Sequence, residues 1–128
     1  MYAADTHSFL WYLTQDNRLG VRARKAFEEC DNAREVIVIP SIVLIESLFL
    51  CEKYKVNLKF EEVLLKLSLS PNYTIHPLNE EVILECAKLK LPDPHDRIIA
   101  ATALLLGVPL ITRDEKIRET KGIDTIWD

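Results

Sequence analysis

At 128 residues, 48% of them apolar, the chain is long enough to bury one core and too short for two, so a single domain over residues 1–128 is expected. With 16 basic and 20 acidic residues the net charge is -4, which excludes binding nucleic acid through bulk positive charge and leaves only a local contact. Cys30, Cys51 and Cys86 lie far apart, which excludes a disulfide framework or a thiolate metal site and suits a reducing compartment.

In chain order, Tyr2-Ala3-Ala4 reads as a short first strand that hands over to a helix capped by Asp5 or Thr6, with Phe9, Leu10, Trp11 and Leu13 as its apolar side. Asp16 to Gly20 is a turn. Val21 to Cys30 is a second helix, and Arg18, Arg22, Arg24 and Lys25 are read as a solvated basic face. The β-branched run Val36-Ile37-Val38-Ile39 has the composition of a strand buried on both faces of a parallel sheet. Pro40 ends it, and a helix runs from Ile42 to Lys53. Further along come a helix over Phe60 to Leu69, a strand over Tyr73 to His76, and a helix from Glu80 to Leu89 capped by Asn79.

The stretch from Leu91 to Asp114 carries the clearest local signals. Asp93 occupies an N-cap position, Pro94 the first helical position, and Asp96 the first turn, where the helix dipole favours negative charge. From Ile98 to Leu106 only Thr102 is polar, so this helix is expected to be buried; Gly107 is its stop, and Val108 to Thr112 the strand that follows. A short helix from Glu115 to Thr120 and an edge strand at Thr125-Ile126-Trp127 complete the pass. Strands alternating with helices predict an α/β domain whose parallel sheet is covered on both faces. No apolar run is long enough to span a bilayer and no signal segment opens the sequence, so a cytoplasmic location away from membranes is expected.

Four acids attract attention together. Glu46 is the only charged side chain between Val36 and Cys51, where an unpartnered carboxylate would cost several kcal/mol. Two readings stand open: a partnered site acid, or an acid emerging on the wet stripe of its helix. Asp5 and Asp114 each follow a strand, and each alone reads as a helix cap. In a parallel sheet, however, those strand ends share an edge, near which the helices bearing Glu46 and Asp96 begin. Four converging carboxylates imply a hard divalent cation such as Mg²⁺ or Mn²⁺ and suit hydrolysis of a phosphodiester. A phosphate-cradling glycine loop is absent, His7, His76 and His95 lack zinc spacing, and no serine sits in a nucleophile elbow. Arg97 and Arg113, each next to a site acid, are candidates for phosphate contact.

These residues carry a resemblance. Asp5-Thr6-His7, Glu46 in its apolar segment, Asp93 to Leu104 (DPHDRIIAATAL) and Leu110 to Asp114 (LITRD) resemble the PIN-domain ribonucleases of the VapC toxin type, across essentially the whole chain. The resemblance implies a three-layer α/β/α fold around a mainly parallel sheet and Mg²⁺- or Mn²⁺-dependent cleavage of RNA, with Asp5, Glu46, Asp96 and Asp114 as the catalytic, metal-binding acids. Asp93 matches the motif as a cap rather than as a direct ligand. A cognate antitoxin and a homodimer are the partners it implies. The chain departs from the pattern in its very short first strand and in lacking a histidine-rich lead-in before Asp93. The alternative from another class is a catalytically silent PIN-fold module that binds protein; a metal phosphatase for small substrates would share the acids.

Overall fold

The computed structural model describes residues 1–128 and builds its centre from five short strands: β1 (Tyr2–Ala4), β2 (Ile37–Pro40), β3 (Tyr73–His76), β4 (Leu110–Ile111) and β5 (Thr125–Ile126). All four strand pairs are parallel, in the order β3-β2-β1-β4-β5. The sheet is thus parallel throughout. Ile37, Val38 and Ile39 are all buried; since successive side chains point to opposite faces, both faces of β2 are covered, as its β-branched composition predicts. Pro40 is the last residue of β2, opposite His76, rather than a residue beyond it. A proline is tolerated where a strand ends and no ladder donor is needed.

Helices connect the strands: α1 (Thr6–Leu13), α2 (Val21–Asp31), α3 (Ser41–Glu52), α4 (Phe60–Leu69), α5 (Glu80–Cys86), α6 (Pro94–Leu106) and α7 (Glu115–Arg118). Four expected elements prove shorter, β5 by the single residue Trp127. Helix α5 stops at Cys86, α7 spans only Glu115–Arg118, and β4 pairs over Leu110–Ile111 alone. Leu89, expected on α5, is buried from the loop instead. In α3 the buried residues Val43, Ser47 and Cys51 recur every four positions, which leaves Ile45 and Phe49 exposed. Cys30 and Cys51 are buried, whereas Cys86 is only partly so.

Helix α6 lies against β1 and β2 and packs along α5. Its centre is small and buried, Ile99 through Ala103, so its backbone comes close to its neighbours. Its ends obey the predicted chemistry. The Asp93 carboxylate accepts from the amides of His95 and Asp96 at 2.8 and 3.1 Å, and Gly107 takes the left-handed conformation, φ 66°, that closes the helix. Buried side chains form one core of 29 residues. No helix is long and apolar enough to cross a membrane.

Candidate active site

The chain runs from β1 through β2 to β3 on one side of the sheet and then crosses to β4 and β5 on the other, so the strand order reverses between β1 and β4 and a crevice opens beyond their carboxyl ends. Asp5 is the first residue past the end of β1. Its carboxylate caps α1 by accepting from the Ser8 amide at 2.9 Å. Burial raises its pKa above the ordinary value, against the lowering effect of hydrogen bonds from Thr112 and Ser8. Asp114 lies three residues past the end of β4 and caps α7 through the Ile117 amide at 2.9 Å. In both caps Oδ1 takes the amide. Asp5 takes a further hydrogen bond from the Thr112 side chain, and the capping amide leaves acceptor capacity on each carboxylate. The cap reading and the site reading of these aspartates are therefore compatible.

Glu46 comes from the second turn of α3 and is half-buried, with the partners that the first of the two readings left open by the sequence requires. The buried Thr6 hydroxyl donates to its Oε1 at 2.5 Å, and His95 Nδ1 lies 3.3 Å from its Oε2. Asp96, in the first turn of α6, completes the four. Its pKa is raised to about 6, first by burial and then by the charges of Asp114, Asp93, Glu46 and Asp5. Acids from three other segments, Asp114, Glu46 and Asp5, thus act on this carboxyl together with the cap of its own helix, Asp93.

The four predicted acids and Asp93 line a single open pocket of about 480 Å³. Its lining holds just two arginines, Arg18 and Arg113, together with His7, Trp11, Thr6 and Ile99. Arg97 is not among them. Its Nε donates to the Leu91 carbonyl, so it ties the loop before α6 to that helix and is corrected from a phosphate-contact candidate to a structural one. Arg18 needs the opposite correction: it precedes α2 in the turn and lies over Trp11 instead of joining a solvated helix face. Sequence reasoning passed over His7 and Trp11. Helical periodicity places Trp11 only in the core, and nothing in the spacing reports that its rim meets the acids.

The donor set suits a hard cation, for it is all carboxylate oxygen with hydroxyl support and no thiolate. The charges of the neighbouring acids raise the Asp96 pKa, so a cation among them would be favoured. As the side chains stand, no three His, Cys, Asp or Glu groups are close enough together to hold an ion.

Fold and site together define a class: an α/β protein with an all-parallel sheet and a carboxylate pocket at its topological switch point. The chain belongs to the PIN-domain family, whose model matches residues 2–123. Among characterised relatives, Ribonuclease VapC22 of Mycobacterium tuberculosis is 26% identical over 128 residues, covering 96% of this chain and 95% of the relative. Of solved structures, VapBC2 from Rickettsia felis bound to a promoter DNA fragment superposes with a TM-score of 0.73 at 19% identity, covering 99% of this chain and 98% of that one. A toxin-antitoxin complex from Klebsiella pneumoniae gives 0.67 at 25% identity, with 96% and 95% covered.

Proposed function

We propose that the chain is a divalent-metal-dependent endoribonuclease, cutting RNA at internal phosphodiester bonds, and the toxin of a toxin-antitoxin pair. The observation that carries this reading is the convergence of Asp5, Glu46, Asp96 and Asp114 on one open pocket, felt at Asp96 as a pKa of about 6. The family, and a relative named as a ribonuclease, support it.

In this reading the four acids hold Mg²⁺ or Mn²⁺. Held by Asp5, Glu46, Asp96 and Asp114, such a cation would supply neutralisation of charge on the phosphate and would make water a better nucleophile than it is in bulk. Each protein group has a definite part. Asp5 and Asp114 are fixed by the amides they cap and present their remaining acceptor capacity. Glu46 is held by Thr6 and His95, which set its rotamer. Asp96 takes up a proton more readily than an ordinary aspartate, so its protonation competes with the ion it would bind.

The Rickettsia and Klebsiella structures are toxin-antitoxin assemblies, which supports an antitoxin as the protein partner here. Exposed apolar residues Ile45 and Phe49 on α3, and Leu64, Leu65 and Leu69 on α4, support association with that partner or with a second copy as a homodimer. They are also what a silent protein-binding module would present, and they keep that second reading in view. A cytoplasmic location goes with RNA as substrate. The deciding experiment is a short pulse of expression followed by mapping of new RNA 5′ ends, with Asp96→Asn as control. Discrete internal ends that appear only with the unaltered chain support the nuclease; no new ends from either chain leaves the binding module, and new ends from both overturn the assigned site.

A further inference from the structure

The acid pocket is lined by five carboxylates, and an RNA strand approaching it brings more negative charge. Attraction must come from the rim. Two arginines stand there, and their surroundings differ. Arg18 lies over the Trp11 ring, its guanidinium carbon 4.4 Å from the centroid, and it grips Asp16 with two bonds, Nε to Oδ1 at 3.0 Å and Nη2 to Oδ2 at 2.8 Å. Its charge is already matched. Arg113 lies over the same ring at 4.4 Å, yet it enters none of the ion pairs of the chain although Asp114 follows it directly.

Trp11 is a rigid seat for both. The ring is buried, at 3% exposure, with Trp127 against it edge-on at 6.0 Å between centroids. A guanidinium resting on such a surface loses little further freedom on binding, and its planar fork matches two oxygens of one phosphate. We infer that Arg113, seated on Trp11 at the pocket rim, grips a backbone phosphate of the RNA strand beside the bond to be cut, while Arg18, neutralised by Asp16, only holds the seat. This assignment rests on the endoribonuclease reading and adds to it the residue that positions the strand.

The test compares Arg113→Gln, Arg113→Lys and Arg18→Gln. Cleavage kinetics are measured in the active chain, and the salt dependence of binding to a labelled single-stranded RNA is measured in an Asp96→Asn background. Arg113→Gln is expected to raise KM about tenfold with kcat changed far less, and to reduce the slope of log Kd against log salt by about 0.7, the value for one phosphate contact on a single strand. Arg113→Lys restores the slope but not the full affinity, because the charge returns without the fork. Arg18→Gln lowers the slope less than Arg113→Gln does. If Arg113→Gln keeps the parental KM and slope while the parent cleaves RNA, the inference is overturned and the nuclease reading survives. Equal loss of slope in Arg18→Gln overturns the division of roles. A parent that neither cleaves nor binds RNA removes both the reading and the inference.

Discussion

Replacing Asp96 by asparagine should stabilise the metal-free protein at neutral pH. The carboxyl titrates near 3.8 when unfolded and at about 6 in the fold, so between those values the folded chain holds more protons than the unfolded one. Stability therefore falls as pH rises through that window, and above it the charged carboxylate carries the full penalty. At full strength the difference is about 3 kcal/mol. Asp96 is partly exposed, and solvent screening brings this to about 1 kcal/mol. The favourable interaction of a first-turn carboxylate with the helix dipole opposes it by about 0.5 kcal/mol. Burial and repulsion still win. In EDTA at low salt and pH 7.5, Asp96→Asn should melt about 2 °C above the parent. The gain should vanish below pH 4, where the acid is protonated in both states. With Mg²⁺ present the order should shrink or reverse, since bound cation stabilises only the parent by mass action. Thermal melts followed by circular dichroism across pH 3.5–8 measure all of this. A variant less stable than the parent at pH 7.5 without cation, or a gain that persists at pH 3.5, refutes the reasoning.

Other substitutions separate holding from binding. Thr6→Val keeps the buried shape but removes the hydroxyl that donates to Glu46, and it should weaken Mn²⁺ binding by about tenfold in calorimetric titration while the fold persists. Asp93→Ala loses the acceptor for two α6 amides and should cost about 1 kcal/mol in urea unfolding, whereas Asp93→Asn should keep both the stability and RNA cleavage. Gly107→Ala forces a side chain into the left-handed region at φ 66° and should cost about 1 kcal/mol by the same assay, even though no neighbour stands in the way.

Much of the molecule was legible because its signals are local. The caps of α6, Asp93 and Gly107, are encoded within a few residues, and the β-branched run at β2 announces a strand covered on both faces. Element ends were less legible where a loop supplies the burial, as at Leu89, which continues the apolar pattern of α5 but packs after the helix has stopped. The site was legible in its acids, because strand ends of a parallel sheet share an edge whatever the distance along the chain. Its supports were not. Thr6 and Glu46 are brought together by packing of α1 on α3, 40 residues apart, and the two arginines on Trp11 come from a turn and from the end of β4. Spacing could not tell Arg113 from Arg97: both sit beside an acid, and only the fold turns one toward the pocket and the other to the Leu91 carbonyl.

The central claim is that these carboxylates serve metal-dependent RNA hydrolysis, and the most direct measurement is cleavage of a long end-labelled RNA by the purified protein. With Mg²⁺ or Mn²⁺, discrete internal cuts are predicted, lost on adding EDTA, restored by excess cation, and absent in Asp96→Asn and Glu46→Gln. Cleavage that persists undiminished in EDTA and in both variants would contradict the account.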